Sequence, residues 1–175
     1  MRQIAISLSH KSLESTIERL EKERARIRER TKQYLDVLSD VGIKATRARV
    51  DSISPFYKGE DISVSKGIIE ETEEGFQAVI YMSGEQAIFI EFGSGVVHNG
   101  PIGTSPHPKG EELGFTIGSY NPESPNAGSS DGWWYKDKWG EWQHTLGTPS
   151  YAPLFNGSKE MIQRASEIAE SVFRF

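Results

Sequence analysis

Gly128-Ser129-Ser130-Asp131-Gly132 has the spacing of a G-x-S-x-G elbow, which presents a nucleophilic serine between a strand and a helix. Loop-forming composition lies on both sides of it, so the strained strand-to-helix turn that chemistry needs is not expected. His98, His107 and His144 fall in one irregular stretch with Glu111 and Glu112, and no two histidines share an i, i+4 or short-loop ligand spacing. Gly93-Ser94-Gly95 lacks the lysine and following helix of a phosphate-binding loop. No pair of carboxylates stands out as acid and base. With no cysteine in 175 residues, thiol catalysis and disulfides are excluded and a structural zinc site is not expected. The sequence predicts no catalytic, cofactor-binding or metal-binding residue.

What remains is chemistry of contact. Arg24, Arg26, Arg28, Arg30 and Lys32 crowd one short stretch, but alternate residues wind around a helix and form no groove-sized face. No aromatic residue is interleaved with them to stack on bases. Charge is divided along the chain: residues 1–50 hold 12 Lys/Arg against 7 Asp/Glu, and residues 51–175 hold 8 against 18. Such a dipolar chain can join copies head to tail, or leave a solvated basic helix beside an acidic body. Arg24 and Arg28 are the basic interface candidates, expected to meet acidic surfaces of a neighbouring copy and at most to touch DNA non-specifically. Trp133, Trp134, Trp139 and Trp142 are too many for a solvent-exposed tip, which makes Trp134 and Trp142 candidate anchors for a partner.

The elements that would position these residues follow from hydrophobic periodicity. Residues 2–8 alternate as a short strand. From Leu13 the apolar positions Ile17, Leu20, Ile27, Leu35, Leu38 and Val41 define one helical face, with Arg24 and Thr31 where the stripe lapses and Gly42 as its C-terminal stop. About 30 residues make a helix near 45 Å, too long for a small domain to cover. It must break near Arg24–Thr31 or meet a neighbouring copy. Ala45–Asp61 is poorly defined. Ile62–Glu70, Phe76–Met82 and Gln86–Phe92 then read as an antiparallel meander with one face under helices. Residues 96–148 are Pro- and Gly-rich and irregular, relieved by Leu113–Ile117 and by a hairpin turning near Asp137–Gly140. Pro153 introduces a last helix, weakened by Gly157 so that its regular part is expected from Ser158. No apolar run approaches the roughly 20 residues of a membrane span, and no signal peptide is evident at the start.

The expected architecture is α+β: an antiparallel sheet packed by long N-terminal and C-terminal helices in one domain, with an irregular insertion at about 96–148. Its centre is Ala87–Gly95, read as a strand with Ile88, Ile90 and Phe92 on one side and Phe89 and Glu91 on the other. Gly93 and Gly95 allow positive φ there, and Glu91 is expected to cap nearby N–H groups or meet a basic partner.

That stretch resembles the tail-component family of long-tailed bacteriophages, known as tail completion or head–tail joining proteins, whose members show a strand running into Glu-Phe-Gly-Thr-Gly. Glu91, Phe92, Gly93 and Gly95 correspond, with Ser94 in place of the threonine. His144-Thr-Leu-Gly-Thr-Pro149 through Pro153-Leu154-Phe155 is similar to the family's Pro/aromatic approach to its last helix. The stretch from Pro101 to Gly132 is longer than in simpler members. The resemblance implies a structural virion protein of the phage neck, not an enzyme, lying between head-closure and tail-terminator rings. It implies a cyclic oligomer around the DNA channel, assembled in the host cytoplasm, with no cofactor and no membrane. An aromatic-rich module binding cell-wall glycan or protein is the alternative.

Overall fold

A computed structural model describes residues 10–59, 61–94, 103–117, 131–137 and 139–174. Its organising element is a helix of 43 residues, α1 (His10–Ser52), unbroken through the Arg24–Thr31 stretch. The run contains no proline, and its stripe of apolar positions holds one face throughout. Gly42 does not stop it. The glycine is buried inside the helix, where an added Cβ would collide with the Met161 thioether and lie 2.6 Å from Ile80 Cδ1. The residue read as a terminator instead permits a close helix crossing, and the segment from Ala45 left undefined by pattern is the buried end of α1. Ser54 then caps a single turn, α2 (Pro55–Lys58).

Four short strands follow: β1 (Ser63–Lys66), β2 (Glu70–Thr72), β3 (Gly75–Gln77) and β4 (Ile80–Ser83). They are one long hairpin in two ladders. β1 pairs antiparallel with β4 from Ser63↔Ser83 to Lys66↔Ile80, and β2 with β3 from Glu70↔Gln77 to Thr72↔Gly75. Gly67 N–H donates to Val79 O (2.8 Å) between the ladders. The meander therefore has two arms, because the segment expected as its third strand is a helix, α3 (Ala87–Phe92). Ala87, Ile90 and Glu91 are its buried residues, an i, i+3, i+4 set that strand alternation does not produce. The expected strand at residues 2–8 lies outside the described residues, as do residues 95–102 and 118–130 of the irregular insertion.

β5 (Trp133–Lys136) and β6 (Trp142–Thr145) form the expected aromatic hairpin, in register from Trp133↔Thr145 to Lys136↔Trp142. The last helix, α4 (Pro153–Phe173), starts at the proline and not at Ser158. Gly157 does not delay it, because the glycine is buried against α1, where a Cβ would strike the Thr46 hydroxyl and sit 3.2 Å from Gly42 O. α4 runs antiparallel to α1: Gly157 meets Thr46, while at the other end Phe173 stands 6.2 Å from Tyr34 between ring centroids. Arg30 Nη1 donates to Arg174 O (2.9 Å).

The molecule is thus mixed helix and strand, as its pattern predicts, with small antiparallel ladders laid on a helix pair. Ile43, Val50, Ile53, Val64 and Ile90 form the core, drawn from α1, the turn after it, β1 and α3. Polar contacts fasten the hairpin along α1. Lys66 Nζ bridges Asp36 (2.6 Å) and Asp40 (2.7 Å), whose hydrogen bonds hold the ammonium pKa above its ordinary value. Arg47 Nη2 donates to Val64 O (2.6 Å).

Candidate functional site

α4 begins without a cap of its own. Ala152, at its N-cap position, has no side-chain acceptor and takes a left-handed conformation (φ 48, ψ 50). Pro153 removes one orphan donor, but the following N–H groups still need acceptors. Glu91, on α3, supplies them. Its Oε2 accepts from Leu154 N (2.8 Å) and its Oε1 from Phe155 N (3.0 Å). A carboxylate at a helix N-terminus also meets the positive end of the helix dipole.

Oε1 also accepts from His107 Nε2 at 3.0 Å. Lys109 N–H donates to His107 Nδ1 (3.1 Å), so Nδ1 carries no proton and the neutral ring bears its hydrogen on Nε2. Both residues are buried, at 4% exposure each. The Glu91 carbonyl accepts from Ser150 Oγ (2.7 Å), and Ile90 O accepts from Tyr151 N (2.9 Å). One residue thereby joins α3, the turn at 103–117 and the start of α4. The carboxylate oxygens accept from three N–H donors, so the group acts as a latch between these elements.

Phe92 closes the latch on its apolar side. Its ring stacks on Phe115 at 3.9 Å and lies 4.6 Å from His107, and His107 meets Phe155 edge-on at 5.4 Å. Gly93 has φ 80 and ψ 166, a backbone that a side chain would strain. Its N–H donates to Phe89 O (2.7 Å), and Ser94 and Thr148 then exchange backbone hydrogen bonds in both directions, at 2.8 and 3.0 Å. Beside the latch lies an open apolar groove of about 680 Å³, lined among others by Ile80, Met82, Ile88, Phe92, Leu113 and Met161.

The residues singled out from sequence do not gather in one place. Glu91, Phe92 and Gly93 form this site, while Gly95 lies outside the described residues. Arg28 pairs with Glu71 of the hairpin and, with Lys32, lies over the Phe76 ring at 5.2 and 5.5 Å. The acid expected on a neighbouring copy is, for Arg28, within its own chain. Arg24 is exposed four residues earlier. Trp134 and Trp142 share one face of the β5–β6 hairpin with His144 and Lys136. They are 60% and 63% exposed, so the chain itself does not cover this face of the hairpin. Lys136 Nζ stands 5.2 Å over the Trp142 ring, and Trp134 lies 5.0 Å from His144.

Sequence reasoning gave His107 no role, and its spacing from Glu91 carries no motif. One signal was present: Ala152-Pro153 opens a helix with no capping side chain, which requires an acceptor from elsewhere. Among the described residues no group of three or more His, Asp or Glu could hold a metal ion, and no helix is long and apolar enough to cross a membrane. No known protein family, curated protein or solved structure matches the chain.

Proposed function

We propose that the protein is a structural component of a phage or prophage neck, a head–tail joining protein working as a cyclic oligomer between head-closure and tail-terminator rings. The observation that carries this reading is the Glu91 latch. The two stretches on which the family resemblance rests, Ala87–Gly95 and His144–Phe155, lie far apart in sequence and are joined through Glu91 to Leu154 and Phe155. A motif whose acid holds the start of the last helix serves architecture, not turnover. In this reading the protein is assembled in the host cytoplasm and resides in the virion, with at most non-specific contact to packaged DNA.

Gly93→Val tests it in particles. Forcing a β-branched residue to φ 80 costs about 1–3 kcal/mol and displaces the latch. The expected result is filled heads accumulating beside separate tails, with the altered protein still folded by circular dichroism. Normal yields of joined particles would remove the support that the motif gives.

A second reading, a glycan- or protein-binding module, is favoured by the exposed Trp134 and Trp142. Lys136 over Trp142 occupies one of the rings on which a sugar would stack, which weighs against glycan. Specific binding to cell-wall glycan by the purified protein, lost in Trp134→Ala and with particle assembly untouched, would establish that reading over the neck.

A further inference from the structure

Steps of four and three residues run without interruption along α1: Leu13, Ile17, Leu20, Arg24, Ile27, Thr31, Tyr34, Leu38, Val41 and Ala45. This is the a/d repeat of a two-helix coiled coil. From Tyr34 onward the seam is half-buried and α4 lies along it, antiparallel. α4 leaves helical geometry at Arg174, level with Arg30, whereas α1 continues for some 20 residues toward its N-terminus. There the same seam is open: Leu13, Ile17, Leu20 and Ile27 are between 42% and 56% exposed. On the flank beside it Thr16 is buried and Arg26 half-buried, whereas on the far side Ser15, Glu18, Lys22 and Ala25 are exposed together with the seam.

We propose that this open length of α1 pairs with the same length of a second copy, antiparallel, as a short two-helix coiled coil in line with α4. Three observations select the occupant and its direction. The seam needs a helix, because the covered part of the same repeat already takes one, and that one is antiparallel. Arg24 sets the direction. A parallel pair would place it against the partner's Arg24 inside the seam. An antiparallel pair with Leu20 opposite the partner's Arg24 puts the guanidinium within a turn of the partner's Glu21 and Glu23.

Length sets the register. In this alignment the layers are Leu13 with the partner's Thr31, Ile17 with the partner's Ile27, and Leu20 with the partner's Arg24, each occurring twice. Thr31 enters its layer satisfied, since Oγ1 donates to Ile27 O (2.9 Å). Sliding one heptad deeper would drive the partner's Ile17 and Leu13 onto Tyr34 and Leu38, which α4 covers. Sliding one heptad out would leave Ile27 and Thr31 bare. The chosen register is the longest that stops short of α4.

The contact is isologous and closes at two copies. It describes the purified protein and does not rest on the neck reading, so either can fail alone. The chain has no cysteine, which makes single-site spin labels straightforward. Sedimentation of the full chain should show a monomer–dimer equilibrium. Leu20→Glu should leave only monomer at every concentration up to about 100 μM, with thermal unfolding unchanged because no core residue is touched. Arg24→Leu should tighten the dimer roughly tenfold. Labels at Lys22→Cys should lie within about 20 Å of each other across the pair, and labels at Lys11→Cys about 33 Å apart along it. Equal short distances at both sites would mean a parallel pair and overturn the proposal. So would a native chain that stays monomeric at about 100 μM, or oligomers larger than two that Leu20→Glu abolishes.

Discussion

Ile43 and Leu20 are apolar residues on one continuous helix, about six turns apart, and they meet opposite surroundings. Ile43 is 8% exposed in the core formed with Val50, Ile53, Val64 and Ile90, and Leu20 is 49% exposed. Secondary structure alone does not distinguish them, because the helix is unbroken between the two. What differs is the facing element. Along the covered length α4 approaches through paired glycines, Gly42 and Gly157, and the hairpin is pinned by Lys66 to Asp36 and Asp40. Along the open length no described helix or strand takes up the seam. Apolar periodicity therefore marks a helix face able to take a partner, and says nothing of whether such a partner lies in the same chain.

Substitutions can break this contrast or sharpen it. Ile43→Ala removes a core side chain and should cost about 3 kcal/mol in chemical denaturation. A loss below about 1 kcal/mol would show the covered length to be loosely packed. Gly157→Ala puts a methyl group onto the Thr46 hydroxyl and should cost about 2 kcal/mol. Adding Thr46→Gly to it should recover part of that loss, and a double variant no better than the single one would mean that the crossing is not the cause. Leu20→Ala should change stability by less than about 0.5 kcal/mol at concentrations where the protein is monomeric. A loss comparable to that of Ile43→Ala would erase the distinction between the two lengths.

The smallest effect concerns pH. The Arg28 hydrogen bond, with Arg28, Lys32 and Arg24 charges behind it, holds the Glu71 carboxyl below its ordinary pKa. A group depressed in the folded state contributes stability above its unfolded pKa, near 4.3, and loses it as pH falls through the lower folded value. Amide exchange at the β2–β3 tip should therefore quicken, relative to β1–β4, only below about pH 4. Arg28→Gln should abolish that acid-dependent difference.

Much of the architecture was legible because it rests on long periodic signals. The stripe from Leu13 to Val41, the aromatic hairpin and the Pro153 helix start all follow from local pattern. Three features did not, and for related reasons. Ala87–Phe92 is six residues long and rich in branched and aromatic side chains, so strand alternation and a helical i, i+3, i+4 set both fit it; burial by the surrounding elements decided. Gly42 and Gly157 were read by intrinsic propensity, as a stop and a weak start, whereas both are held inside helices by their mutual approach. In the latch, the capping role of Glu91 was foreseen, while its bond to His107 spans 16 residues and leaves no spacing to read.

The continuity of α1 across Gly42 has a mechanical consequence. A helix gripped at one end and with its apolar seam exposed at the other is a lever, with the glycine crossing as its fulcrum. Leu13 lies 29 residues from Gly42, an arm of about 44 Å. Rocking the helix pair by about 5° at the crossing would sweep the far tip through about 4 Å, more than one helical residue's rise. Small changes in how α4 seats on Thr46 are therefore magnified at the other end of the molecule, and whatever grips the tip feels them as displacement.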